Sequence, residues 1–287
     1  MEKKWIESKW LKKNYEFDAQ KDLINEGGFG KIYKVKDLKT SQIMALKVAT
    51  FSDEDSYERE KEEIPNILSL DHENIIKLRN NNFDKLADDY WVIYMVFDYA
   101  KDGNLKQFLS THPLTENGAL DIALQLAKGL TYAHSKNVFH LDLVERNVLN
   151  FFPTFKLADW GSGKRKVDNK TNKIDPGKTK VAWSIYPPES EREEDIKFSK
   201  VDVYAFGILL MNLLAKCVGI KFTGLIGLSQ SPTKELYEAQ RKFFFDQIFL
   251  PKKLQLSMWE KLLPKMLTFT HQERLDMPAT LDLIQSD

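Results

Sequence analysis

Residues 137–149 read NVFHLDLVERNVL, an apolar run into which a histidine, an aspartate and an asparagine are set at 140, 142 and 147. An isolated Asp or Asn is most often a turn residue, its side chain bonded to nearby backbone. Here the same two groups have a chemical alternative. A carboxylate can also take up a proton, and an amide oxygen can ligate a hard cation. Which reading holds depends on what the rest of the chain supplies.

Just downstream, KLADWG at 156–161 places another carboxylate, Asp159, twelve residues after Asn147. Just upstream, Leu120, Ala123, Leu124, Ala127 and Leu130 recur at three- and four-residue spacing, the period of a helix with one apolar face. The helical pattern holds from about residue 103 onward. Before it, the chain reads as strands: KDLINEGGFGKIYKVKDL is a β-run, a glycine turn and a second β-run, followed by QIMALKVAT and YWVIYMVFDYA. One helix interrupts them, starting at SDED, where Ser52 can cap and the acidic side chains suit the positive helix end. The Asp-Gly turn signal in AKDGNL, 100–105, marks the connector between the two regimes. NNN at 80–82 reads as a loop, and SGKRKVDNKTNKIDPGKTK, without periodicity and rich in lysine, as a mobile one.

In EGGFG the glycines let backbone amides approach phosphate oxygens with no Cβ in the way, although any glycine hairpin looks similar. One strand later Lys47 ends MALK, where a strand lysine would ordinarily face solvent. Bulk properties close off other classes. The 287 residues are 43% hydrophobic and 29% charged, enough apolar material for a sizeable core. Forty-two basic residues balance forty-two acidic ones, so no global field favours nucleic acid or membrane. A single cysteine, Cys217, excludes an internal disulfide framework and fits a reducing compartment. The charged N-terminus MEKKWIESKWLKK lacks a signal-peptide core, and Lys216, Lys221 or Asp246 interrupts the later apolar runs, so a cytoplasmic protein without a membrane span is expected.

In their order along the chain, the glycine turn, strand lysine, histidine–aspartate loop and following aspartate resemble the eukaryotic-type protein kinase family. NEGGFGKI, 25–32, is similar to the family's G-x-G-x-x-G-x-V, with Asn25 for the first glycine, Gly27 and Gly30 kept, Gly28 between them and Ile32 for valine. MALK is similar to V-A-I-K, HLDLVERN to H-R-D-L-x-x-x-N, and DWG to D-F-G. The resemblance runs over about residues 18–285. It implies an α+β bilobal fold: an extension over 1–17, then a kinase domain over 18–287, with a β-rich N-lobe carrying one main helix over about 18–99 and a larger, mostly helical C-lobe over about 100–287. It also implies use of ATP with Mg²⁺ and transfer of the γ-phosphate to a Ser, Thr or Tyr hydroxyl of a protein.

Carried over residue by residue, the resemblance assigns the phosphates to the glycine turn and Lys47, with Glu63 as the helix-borne partner of Lys47. Glu60 or Glu62 could take that role instead, since Pro65 should kink or end the helix there. The incoming hydroxyl falls to Asp142 and the metal to Asn147 and Asp159. Phe97 resembles a gatekeeper; the Asp98 carbonyl and Ala100 amide would take the adenine edge, Asn104 the ribose, and Ala45 with Leu149 the faces of the base. Asp202, in VDVYAFGILL, would brace the catalytic loop, and Glu189 of YPPES would pair with Arg274.

The departures also have consequences. Leu141 stands where the family commonly has arginine, which removes a receiver for an activation-loop phosphate. Val144 removes a cation that Arg146 could supply from two residues further on, with an ordinary surface arginine as the plain alternative. Trp160 replaces Phe as the packing ring. The main competing reading is a pseudokinase acting as a nucleotide-binding or allosteric scaffold. A small-molecule kinase fits less well, because YPPES resembles a peptide-binding segment. The lysine-rich loop carries seven basic residues against two acidic ones, either a docking surface for acidic peptides or simply a solvated segment. Trp5 and Trp10 read as packing anchors.

Overall fold

A computed structural model describes residues 4–27, 30–160, 164–165, 187–188, 197–220, 233–249, 254–255 and 257–286. They form two compact units, Met1–Lys101 and Asp102–Asp287. The first is β-rich and the second mostly helical, the α+β division that the pattern of the sequence implies.

The first unit is built on antiparallel strands β1 (Tyr15–Glu16), β2 (Leu23–Gly27), β3 (Gly30–Asp37), β4 (Ile43–Phe51), β5 (Leu78–Ala87) and β6 (Tyr90–Asp98). They pair in the order β1-β3-β4-β6-β5, with β2 also on β3. Because side chains alternate across a strand, each central strand serves two faces. Tyr33, Val35, Met44, Leu46, Val48, Val92, Tyr94 and Val96 line one face and form a single core with Trp5, Leu11 and Tyr15; Trp10 packs against it. The leading segment is therefore a built part of this unit. The Trp5 carbonyl accepts from the Tyr94 hydroxyl (2.9 Å), and Ser8 Oγ donates to Asp84 Oδ2 (2.6 Å).

The NNN stretch is not a loop. Asn80, Asn81 and Asn82 lie in β5, paired with Val96, Met95 and Tyr94 of β6 after a register shift at Leu78/Asn80. Asparagine is tolerated there because β5 is an edge strand whose side chains find polar partners: Asn80 Nδ2 donates to the Tyr15 hydroxyl (3.0 Å) and Asn82 Nδ2 to Asp84 Oδ1 (2.9 Å). The interrupting helix is α2 (Glu54–Leu68), after α1 (Lys9–Asn14). Its cap is Asp53 rather than Ser52, since the Asp53 carboxylate reaches the Ser56 N–H (2.8 Å). Pro65 does not end the helix, which runs three residues further before Ser69 caps it.

The second unit packs around α4 (Glu116–Ser135), which follows α3 (Leu105–Thr111), and α5 (Phe198–Val218). Its later helices are α6 (Lys234–Phe249), α7 (Met258–Met266) and α8 (Met277–Gln285). The helical period of α4 is as the sequence implies, but the buried stripe is Ala119, Ile122, Ala123, Leu126, Ala127, Leu130 and Ala133; Leu120 and Leu124 are only half-buried. Small residues let neighbouring elements approach on a broad face, turning the two leucines to its margin. Among the described residues one helix, α5, is long and apolar enough to cross a membrane, and 83% of its apolar window is buried inside the protein. It is a core helix.

Candidate active site

Within the first unit, sheet register decides what surrounds Lys47. Ile32, Lys47 and Met95 lie side by side across β3, β4 and β6, and Lys34, Ala45 and Phe97 form the adjacent row. By alternation these rows sit on the face opposite the Trp5 core. Lys47 is 8% exposed. On α2, Glu62 points to solvent, whereas Glu60 and Glu63 are half-buried and the Oε2 atom of Glu63 is fully enclosed. That geometry removes Glu62 as a partner for the lysine and keeps Glu60 and Glu63.

The β2–β3 turn is closed by the pair Gly27 and Gly30, with Asn25 opposite Ile32. Gly30 has φ +112°, and a Cβ there would lie 2.3 Å from the Val48 carbonyl oxygen, so only glycine fits. Gly27 is in open space, which leaves its backbone accessible. Gly28 falls outside the described residues. At the end of β6 the Asp98 carboxylate is gripped by Arg79 through Nε (2.7 Å) and Nη2 (2.8 Å), a two-pronged contact that steadies the backbone leading to half-buried Ala100.

In the second unit three of the predicted residues meet directly. Asp142 is 2% exposed, and Asn147 Nδ2 donates both to its carboxylate and to its carbonyl (2.8 Å each). Arg146 Nη2 reaches Asp142 Oδ2 (3.1 Å) and Oδ1 (3.3 Å) from a half-exposed side chain. The amide nitrogen of Asn147 being spent, its oxygen is the end left to face a hard cation.

Hairpin β8 (Val148–Phe151) and β9 (Thr154–Leu157) then brings Asp159 alongside. Val148 pairs with Leu157, and the Ala158 N–H donates to the Asn147 carbonyl (2.8 Å), so Asp159 emerges one residue beyond the last bond at the open end of the hairpin. An amide oxygen and a carboxylate thus share one end of a hairpin, a hard-oxygen set suited to a divalent cation that takes its remaining ligands from phosphates and water. Leu149 is half-buried on β8 and bridged to Asn104. The Asn104 side-chain oxygen caps α3 by accepting from the Gln107 N–H (3.0 Å), which leaves only its NH₂ for a ribose.

Asp202 of α5, with no exposed surface, holds the loop from beneath. Its carboxylate accepts the backbone N–H of His140 and of Leu141 (2.8 Å each) and faces His134 Nε2 (2.8 Å). Leu141 adopts φ +61°, a strained setting for a branched side chain that these bonds maintain. Further along α5, Asn212 Nδ2 donates to Glu145 Oε1 (2.5 Å), a second grip on the loop. Arg79, His134 and Asn212 escape a reading of the sequence because each acts through a fold contact with no local pattern. Arg274 is buried, its guanidinium on the Thr268 and Lys200 carbonyls and over the Tyr204 ring; its expected partner Glu189 lies outside the described residues. Most of the lysine-rich loop also lies outside them, but Lys164–Arg165 form a strand, β10, paired with β7 (Val138–Phe139), where a loop is expected.

A family model described as the protein kinase domain matches residues 19–283. The chain is 27% identical over 274 residues, 93% of its length, to calcium-dependent protein kinase 5 of Plasmodium berghei, covering 45% of that protein. It is 32% identical over 67% of its length to cyclin-dependent kinase 12 of Drosophila melanogaster and 31% identical over 70% to dual specificity testis-specific protein kinase 1 of Mus musculus, covering 17% and 32% of those proteins. The chain spans less than half the length of each of these three relatives.

Proposed function

Since the chain belongs to the protein kinase family, we propose that it is an active member, which transfers the γ-phosphate of Mg²⁺-ATP to a serine or threonine hydroxyl of a protein. The observation that carries this reading is the joining of Asp142, Arg146 and Asn147 in one hydrogen-bonded group, with Asp159 at the end of the adjoining hairpin. A buried carboxylate held by an amide and a guanidinium is preorganised to receive a hydroxyl proton. A bound divalent cation would neutralise phosphate charge at Asn147 and Asp159. Lys47 would take α- and β-phosphate oxygens, the backbone around Gly27 and Gly30 the outer phosphates, and the Asp98 carbonyl and Ala100 N–H the adenine edge. Ile32, Ala45 and Leu149 would cover the base. Catalysis then comes from positioning and charge complementarity, the main demands of phosphoryl transfer.

Radiolabelled ATP incubated with purified protein and general acceptors tests the reading. Label should pass to protein, and Asp142→Asn should lower turnover by a factor on the order of 10²–10⁴. Asp159→Asn should weaken nucleotide binding only when metal is present. No transfer from the wild-type chain would leave a scaffold, and phosphotyrosine as the sole product would overturn the acceptor. Arg146→Ala should reduce kcat about 10- to 100-fold, the worth of one charged hydrogen bond, with little change in KM for ATP. With a buried leucine at 141, no arginine there waits for an activation-loop phosphate, so phosphatase treatment should leave turnover intact.

A further inference from the structure

We infer that Arg79 is a positioning residue for the adenine edge, acting through the side chain of Asp98 on the backbone that meets the base. The inference rests on the reading of the Asp98 carbonyl and Ala100 N–H given above and deepens it. The β4–β6 ladder closes on the pair Met44 and Asp98, so Asp98 is where the chain leaves the sheet. Met44 belongs to the Trp5 core, and by alternation with Phe97 the Asp98 carboxylate lies on that same face. A base on the other face can therefore take Asp98 only by its backbone.

Strand register accounts for the reach of Arg79. Leu78 pairs with Phe97 and Asn80 with Val96, so two steps along β5 match one along β6 and Arg79 is the extra residue of a β-bulge. A bulge re-aims the side chain it carries. In unbroken pairing Arg79 would stand opposite Val96; the bulge gives that place to Asn80 and frees the guanidinium for Asp98. Its Nε and Nη2 hold the two carboxylate oxygens at 2.7 and 2.8 Å, which fixes the plane of the carboxylate as well as its distance. The two side chains are 47% and 23% exposed, so the pair adds little to the stability of the whole fold. What it fixes is local: the torsions of Asp98, and with them the backbone at the last rung before Ala100. A carbonyl followed two residues on by an N–H suits adenine, which offers a donor at N6 and an acceptor at N1. Guanine offers the reverse, so a firmly held backbone penalises it.

The test measures, by calorimetry on the full chain with Mg²⁺, the affinities for non-hydrolysable ATP and GTP analogues, whose ratio reports how well this backbone selects adenine. Wild type should prefer the ATP analogue. Arg79→Ala should weaken that analogue about twofold to fivefold, the range one well-formed exposed ion pair can transmit, with the GTP analogue nearly unchanged and the ratio lower by the same factor. Arg79→Lys, a point charge without the fork, should fall between. Asp98→Ala should match Arg79→Ala, and the double variant should be no weaker than either, as one shared contact requires. Melting temperatures should stay near wild type throughout. An equal loss of both affinities together with a lower melting temperature would be a general weakening of the fold and overturns the inference, as does an additive loss in the double variant. An unchanged ratio in Arg79→Ala, when wild type prefers the ATP analogue, overturns the role of Arg79 alone. A wild type without that preference overturns the adenine-edge reading along with it.

Discussion

The sheet of the first unit and the loop of the second hold their functional side chains by different means. Lys47 is placed by register: its neighbours Ile32 and Met95 follow from backbone pairing across three strands, and no single side chain fixes its address. Asp142 is placed by side-chain hydrogen bonds: Asp202 of α5 holds the N–H groups of His140 and Leu141 just before it, and Arg146 and Asn147 of its own loop bind its carboxylate. Placement by register should survive most single substitutions, while placement by converging hydrogen bonds concentrates the risk in a few atoms.

Removing Asp202 should break the loop first and most severely. Asp202→Ala would orphan two buried N–H groups, at about 1–3 kcal/mol each, in addition to the His134 contact. Denaturant titration should register a loss of roughly 3 kcal/mol or more, with turnover abolished even where the protein remains folded. If turnover survived, the loop would owe its shape to something other than this carboxylate.

Trp5→Ala sharpens the contrast from the sheet side. Truncating a buried aromatic should lower stability by about 3–5 kcal/mol, yet nucleotide affinity measured below the unfolding range should stay near wild type, because the rows bearing Lys47 lie on the other face. A marked affinity loss would mean that the two faces are coupled. The smallest effect separates two glycines of one turn. Gly30→Ala should be destabilising by about 1–3 kcal/mol, from backbone strain and the close Val48 carbonyl. Gly27→Ala, with nothing within 4 Å of its Cβ, should stay within about 0.5 kcal/mol by thermal melting.

The same division explains what could be read in advance. Contiguous features were legible: the alternation of MALKVATF, the glycine turn, the helical period of 116–135 and the order of the acidic motifs all speak through nearest neighbours in sequence. Features that depend on a distant partner were not. Asn80–Asn82 look like a loop until β6 supplies a ladder and Tyr15 a hydroxyl, and the choice between neighbouring caps at Ser52 and Asp53 is made by the N–H of Ser56, which the Asp53 carboxylate accepts. Within the site, the identity of Asp142 and Asn147 was visible, but the grips of Arg79 on Asp98 and of Asn212 on Glu145 join residues far apart in the chain. The role of Asn104 as a helix cap is legible in principle, since Gln107 follows at capping-box spacing.

The leading segment has a practical consequence. The family match begins at residue 19, yet Trp5, Leu11 and Tyr15 share a core with Tyr33, Leu46 and Tyr94. Expressing only the matched residues would uncover a greasy aromatic plane on one side of the sheet, and such a plane invites self-association. Poor solubility of that shortened form would then report a missing cover, with the chemistry of the opposite face still intact.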